Sequence, residues 1–301
     1  MKNMLSNQNC FKVSQENPEP ALDNFYIFDE RHPRIKDYLK NTKEIKKLLT
    51  TIQILIEKKE QSKIIDKYFQ ELANTLNQYS NCSEFSCFIN ACDNTLDYVK
   101  SDFNLLKKIA KKYFKKRIID ETVPEEWVQA MLDSNSGRKK GTCGENKLIS
   151  ILENKGFEKV NTWEGFINSK KCVARFSKLF DLKNVRKNLD IKIKTKKQNK
   201  KLDLLIKEDN RIFLLEAKHL NTGGGGQDKQ ISELIELLSL KETKKYIYYI
   251  SFLDGNYSNI LLGDNRNGDK IKQQRKEIIK YIKKNPNNFW VNTSGFINIF
   301  K

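Results

Sequence analysis

Two short apolar runs joined by a polar turn constrain this chain more than any other feature of it. They are Leu202-Asp203-Leu204-Leu205-Ile206 and Ile212-Phe213-Leu214-Leu215, linked through Lys207 to Arg211 with Asp209 and Asn210 between them. Runs of this length bounded by turn residues read as the paired strands of a hairpin inside a sheet. The second run ends in Glu216-Ala217-Lys218. Side chains two apart on a strand share a face, so Glu216 and Lys218 point one way while Leu215 and Ala217 point the other. Antiparallel pairing across the turn then carries Asp203 to Glu216. Charges in a buried sheet are costly unless they are paired or hold a cation, which makes this strand end the first place to look for chemistry.

Two carboxylates converging on one spot suit a hard, oxygen-seeking cation such as Mg2+, which takes one or two carboxylates and completes its shell with water and phosphate oxygen. A lysine beside it is placed to hold or deprotonate a water. The competing reading is an ordinary hairpin whose charged residues face solvent. Composition favours the first: 56 basic against 38 acidic residues give a formal charge of +18, the balance of a chain that meets a polyanion. An AT-rich coding sequence would enrich Lys, Asn and Ile in the same way. The lysines are scattered through every segment and not gathered on one amphipathic helix, which weighs against a membrane surface. No apolar stretch approaches the ~18 residues of a membrane span, and Met1 to Gln8 carries no signal-peptide apolar region, so the cytoplasm is the expected compartment. Cys10, Cys82, Cys87, Cys92, Cys143 and Cys172 form no Cys-x-x-Cys pair and read as reduced thiols. Of the two histidines, His219 points away from Lys218 and His32 reads as a surface residue, so no histidine stands near the site to support His-metal nuclease chemistry or a triad hydrolase.

Along the chain, residues 1–132 read as a helical N-terminal region. Ile45, Leu48, Leu49, Ile52, Leu55 and Ile56 keep helical spacing, as do Ile64, Ile65, Tyr68, Phe69, Leu72 and Leu76, and then Leu105, Leu106, Ile109, Ala110 and Phe114. The segment before Lys36, with Pro18, Pro20 and Pro33, reads as irregular or loosely packed. A short helix from Pro124 breaks at Asp133 to Gly141, a Ser/Asn/Gly-rich loop and the expected boundary. Residues 133–301 read as the α+β half, beginning with a helix from about Gly144 to Asn154. Lys183 to Lys201 alternates basic with apolar residues and reads as an exposed cationic strand. Gly223 to Gly226 permit close backbone approach to phosphate or form a flexible link, and the helix after them offers an N-terminus faced by Gln227, Lys229 and Gln230.

Taken together, Asp203 at a strand start and Glu216-Ala217-Lys218 ending the next strand resemble the PD-(D/E)xK nuclease superfamily, with Glu145 in the place of its glutamate from the preceding helix. Leu202 stands where the motif has proline. A closer resemblance, over about Asp133 to Asp254, is to type II restriction endonucleases of the Dpn/Mbo kind, which cut at GATC. It rests on Asp133-Ser134-Asn135-Ser136-Gly137-Arg138-Lys139, the Asp203 strand, the triplet, the glycine run and Leu253-Asp254-Gly255. It departs at Asn256-Tyr257, where those enzymes carry a bulkier aromatic, and at the lysine of the triplet, where they have another residue. The resemblance implies a restriction-endonuclease-like mixed β-sheet flanked by helices, in which Asp203 and Glu216 hold Mg2+ with the carbonyl of Ala217. Lys218 would serve the attacking water and Glu145 would support the metal. It further implies hydrolysis of both strands of double-stranded DNA to 5′-phosphates by a homodimer, partnered functionally by a DNA methyltransferase. Asn135, Arg138, Lys139, Gln227, Lys229, Gln230 and Asn256 would contact DNA.

Overall fold

The computed structural model describes residues 6–27, 30–120, 122–134, 137–191, 193, 202–242, 244–263 and 268–301, without the side chains of residues 137–140. Two compact units emerge, one made of Phe28–Gly137 and the other of Met1–Ile27 together with Arg138–Lys301. The boundary expected at residues 132 and 133 therefore falls close to the second junction, but the first 27 residues lie with the C-terminal unit.

The reason is on the first helix. α1 (Asn7–Glu16) is capped by the Ser6 side chain, which accepts from the Asn9 N–H, and it buries Cys10 and Phe11. Asn7 Nδ2 lies 2.8, 3.0 and 2.9 Å from the carbonyl oxygens of Ile282, Asn285 and Asn288. Asn292 Nδ2 reaches back to the carbonyls of Ser14 at 3.1 Å and Asn17 at 2.7 Å. The expectation of an irregular or loosely packed start is corrected for Asn7–Glu16, where long-range hydrogen bonds and apolar burial order a helix, and it holds for the described residues from 17 to 34, around Pro18, Pro20 and Pro33, which form turns and bends but no helix or strand.

The helical unit comprises α2 (Ile35–Glu57), α3 (Ser62–Thr75), α4 (Glu84–Ala91), α5 (Leu96–Ser101), α6 (Phe103–Lys116) and α7 (Glu125–Ser134). The apolar stripes expected from periodicity meet in one core that includes Ile45, Leu49, Ile52, Phe69, Leu72, Leu106, Ile109 and Tyr113. Lys108, Lys111, Lys112, Lys115 and Lys116 of α6 are exposed, while Lys107 pairs with Asp66 at 2.5 Å.

The C-terminal unit is α+β. Its elements are α8 (Gly137–Glu153), β1 (Glu158–Lys159), α9 (Trp163–Asn168), β2 (Lys171–Arg175), α10 (Leu182–Leu189), β3 (Leu204–Glu208), β4 (Arg211–His219) and α11 (Gly225–Ser239). They continue with β5 (Ile247–Asp254), α12 (Asn256–Gly263), α13 (Asp269–Lys284), β6 (Asn288–Val291) and α14 (Thr293–Ile299). The six strands form one mixed sheet in sequence order, with β2, β3 and β4 an antiparallel meander and β4, β5 and β6 parallel. Alternation along β4 divides the core between the two faces. Phe213 and Leu215 join Leu148 and Leu152 of α8 and Phe296 of α14, while Leu214 joins the cluster beneath α9 and α10. α11, α12 and α13 pack through Ile231, Leu234, Leu261 and Ile278 on Leu253 and Trp290.

Two local expectations are overturned. Residues 182–189 form a helix, not part of an exposed strand: Asp181 caps it by accepting from the Asn184 N–H, and Leu182 and Val185 are buried on one side. Its basic residues Lys183, Arg186 and Lys187 fall within the helix, and 192 and 194–201 lie outside the described residues. The loop expected through Gly141 is also helical from Gly137 onward. Arg and Lys are good helix formers, and turns anchored by Leu148 and Leu152 propagate toward the N-terminus at little cost.

Candidate functional site

The hairpin brings the acid and the triplet together. The turn needs only Asp209 and Asn210, with Asp209 at φ 53, and Glu208 pairs with Arg211. That register sets Leu204 against Leu215, so Asp203 arrives one step further on, beside Glu216. The Asp203 N–H donates to the Leu215 carbonyl at 3.0 Å, and its Oδ2 accepts from the Ala217 N–H at 2.7 Å. Glu216, only 2% exposed, places Oε1 3.0 Å from Lys218 Nζ, so the two do share a face.

The electrostatics follow from burial. Desolvation pushes the Asp203 carboxyl up to about 6; the Ala217 N–H and Lys218 pull against this, while Glu216 and Glu145 add to it. Burial draws the Lys218 ammonium down, but Glu216 and Asp203 outweigh that and hold it above the usual lysine value. Lys218 is therefore a firmly protonated hydrogen-bond donor. Glu145, on α8, lies 3.7 Å from Arg175 Nε at the end of β2, and Arg175 also hydrogen-bonds Asn146. Arg175 is a neighbour of the acidic group that sequence reasoning did not single out; β2 reaches the site because Phe176 N–H donates to the Asp203 carbonyl at 3.0 Å.

Of the remaining candidates, Gln227, Lys229 and Gln230 occupy the first turns of α11, with Lys229 exposed and the two glutamines half-buried. Glu233, one turn further along α11, is close enough to act on Lys218. Gly223 has a packing reason of its own, since a Cβ there would sit 2.9 Å from the Tyr257 ring. Asn135 lies outside the described residues, as do the side chains of Arg138 and Lys139 in the first turn of α8. Asn256 opens α12 and is exposed, its N–H 3.4 Å from Asn221 Oδ1.

On the opposite face of the same strand end lies a second polar group, which the sequence reading did not assemble. Lys147 Nζ, 4% exposed, lies 2.6 Å from Asp23, 3.1 Å from Asp254 and 3.4 Å from Glu19. The Tyr26 hydroxyl donates to Asp254 at 2.7 Å, and its ring stacks on His219 at 3.7 Å. His219 Nδ1 is 3.0 Å from the other Asp254 oxygen. The carboxylates of Glu19, Asp23 and Asp254 lie close enough together to suggest a cation site, but the Lys147 ammonium already sits among them. Burial pulls that ammonium down, and the three acids more than restore it. One local signal existed, a lysine directly before the apolar anchor Leu148. The partners Glu19, Asp23 and Tyr26 are more than a hundred positions away and left none.

Compared with protein-family models, curated proteins and solved structures, the chain matches none. Among the described residues no helix is long and apolar enough to cross a membrane.

Proposed function

We propose that this protein is a Mg2+-dependent nuclease of the PD-(D/E)xK kind and, more finely, a type II restriction endonuclease that cuts both strands of a short duplex site, with GATC the sequence its resemblance suggests. The observation that carries the reading is the meeting of Asp203, Glu216 and Lys218 at one buried strand end, with Glu145 close enough to act on Asp203. The donor set fits Mg2+: the ligands are oxygen only, and the Asp203 carboxyl is raised chiefly by its burial, with Glu216 and Glu145 adding to it, a cost that a bound cation would offset. Asp203, Glu216 and the Ala217 carbonyl would hold the cation. When bound, it would polarise a phosphate oxygen and make a coordinated water more acidic. Lys218, held as an ammonium by Glu216 and Asp203, would orient or activate a water at the site. Glu145, braced by Arg175, supports the acidic group from α8.

One site cuts one strand, so a twofold target calls for a homodimer, and a resident genome with the same target calls for a methyltransferase. The 56 basic residues supply attraction to the DNA backbone. The 3.0 Å pair of Glu216 and Lys218 also favours a second reading, a DNA-binding protein whose hairpin charges merely neutralise each other. Digestion of a defined plasmid decides among these. Discrete bands in Mg2+ that vanish with EDTA, and with Asp203→Ala and Lys218→Ala, support the restriction reading. A smear replaces it with a non-specific PD-(D/E)xK nuclease such as a resolvase or defence effector, and equal behaviour of all three proteins removes the site.

A further inference from the structure

In the helical unit, α6 buries Leu106, Ile109, Ala110 and Tyr113 in the core and turns Lys108, Lys111, Lys112, Lys115 and Lys116 to solvent. At 3.6 residues per turn these lysines fall on one side of the helix, over an arc of about 140° and a length of about 12 Å. No acid interrupts them: α6 holds no Asp or Glu, whereas α2 carries Asp37, Glu44 and Glu57, and α3 carries Asp66 and Glu71. Neighbouring acids reach only the margins of the stripe, Asp66 pairing with Lys107 at 2.5 Å and Glu84 with Arg117 at 3.6 Å. Among the described residues the five exposed lysines have no ion pair.

That arrangement weakens the helix. Lys108 and Lys112, Lys111 and Lys115, and Lys112 and Lys116 are like charges one turn apart, each pair a small loss of helix stability. The helix dipole offsets part of it for Lys115 and Lys116 in the last turn, but not for Lys108, Lys111 and Lys112. A lysine-rich composition accounts for the number of lysines and not for a face from which acids are missing. A polyanion would supply the charge that the fold withholds. Which polyanion follows from what the face lacks. A membrane surface takes an amphipathic helix by its apolar side, and that of α6 is buried in the core. Single strands are held by exposed rings on which bases stack, but Tyr113 is buried and Phe103 and Phe114 are half-buried. Lysine is a point charge without the fork of arginine, suited to phosphate more than to base edges. The stripe is long enough for lysines at its two ends to meet phosphates on either side of a major groove about 12 Å wide.

We infer that the exposed face of α6 is a docking surface for duplex DNA, which it holds by the phosphate backbone without regard to base sequence. The choice of DNA as the duplex rests on the nuclease reading above; the face itself does not. The test titrates labelled duplex DNA with the full chain in EDTA between about 50 and 200 mM salt. It compares wild type with a stripe variant carrying Lys108→Gln, Lys111→Gln and Lys112→Gln. A control carrying Lys36→Gln, Lys43→Gln and Lys58→Gln removes the same charge from exposed lysines of the same unit that each adjoin an acid. The stripe variant should bind on the order of a hundredfold more weakly at 100 mM salt, with its log–log salt slope lower by about three, while the control moves the slope by less than about one. Relieving the repulsion should leave the melting temperature unchanged or higher. Should it fall, Lys108→Gln alone decides, with a slope lower by about one. Equal losses in the two triple variants reduce the effect to net charge and overturn the surface, as does a slope that does not move. Stripe-dependent binding of duplex RNA or of anionic vesicles, with no such effect on DNA, overturns it as well. Stripe-dependent DNA binding by a protein that cuts nothing in Mg2+ upholds the surface and sinks the nuclease reading, whereas cutting without any effect of the stripe on binding sinks the surface alone.

Discussion

Asp203 shows how a single residue can be poor for stability and suited to chemistry. Its carboxyl is pushed from the ordinary 3.8 to about 6, so the folded protein holds that proton more tightly than the unfolded chain does. The consequence for stability has a definite sign: without metal, the contribution falls as pH rises from about 4 through 6 and stays low above that window. Asp203→Asn, whose side-chain oxygen can still accept from Ala217 N–H, should therefore be more stable than wild type at pH 7.5 in EDTA, on the order of 2 kcal/mol, and catalytically dead. Thermal melts at pH 4 and 7.5 check this; an equal effect of the substitution at both pH values would contradict it. Lys218→Ala should lower the cleavage rate by roughly 10²–10³ while DNA binding holds, as loss of one donor at a reacting group does. Single-turnover cleavage beside a binding titration separates the two.

The elements that carry these residues are held by contacts with distant parts of the sequence. α8 brings Glu145 to one side of the sheet's end and Lys147 to the other group, and Lys147 is the sole cation placed among Glu19, Asp23 and Asp254 in the described structure. Lys147→Met should cost about 3–5 kcal/mol in a urea melt, since it strands three acids in the interior. α1 is tied to α13 and β6 through Asn7, and Asn7→Ala should cost about 2–4 kcal/mol by leaving buried carbonyls without a donor. A loss under 1 kcal/mol would mean that water replaces the amide. Gly255, at φ 80, is required where β5 turns into α12, because a Cβ would lie 2.5 Å from the Leu220 carbonyl oxygen; the chain turns there without displacing Asp254 or Asn221.

At the scale of the whole molecule, the charge of +18 predicts duplex binding that weakens steeply with salt, by about 10³ or more between 50 and 200 mM. Lys272, Lys276 and Lys280 repeat every four residues on the exposed side of α13, and reversing all three to Glu should flatten the log–log salt slope by about three. A slope that does not move places the backbone elsewhere. What the sequence determined by itself was local. Alternation fixed the faces of Glu216, Lys218 and His219, the polar turn fixed the hairpin that delivers Asp203, and helical spacing fixed the core of residues 45–114. These readings hold because they depend on strand and helix period and on turn chemistry, which neighbouring residues decide. Residues 182–189 misled for the same reason: an amphipathic helix and a half-exposed strand differ little over eight positions of mixed basic, polar and apolar residues, and only burial of Leu182 and Val185 against the sheet chose between them. Tertiary structure alone decided that the first 27 residues complete the C-terminal unit and that Tyr26, Lys147, His219 and Asp254 form one buried group. Those partners are separated by up to 228 positions, and nothing but packing and the need to satisfy buried charge brings them together.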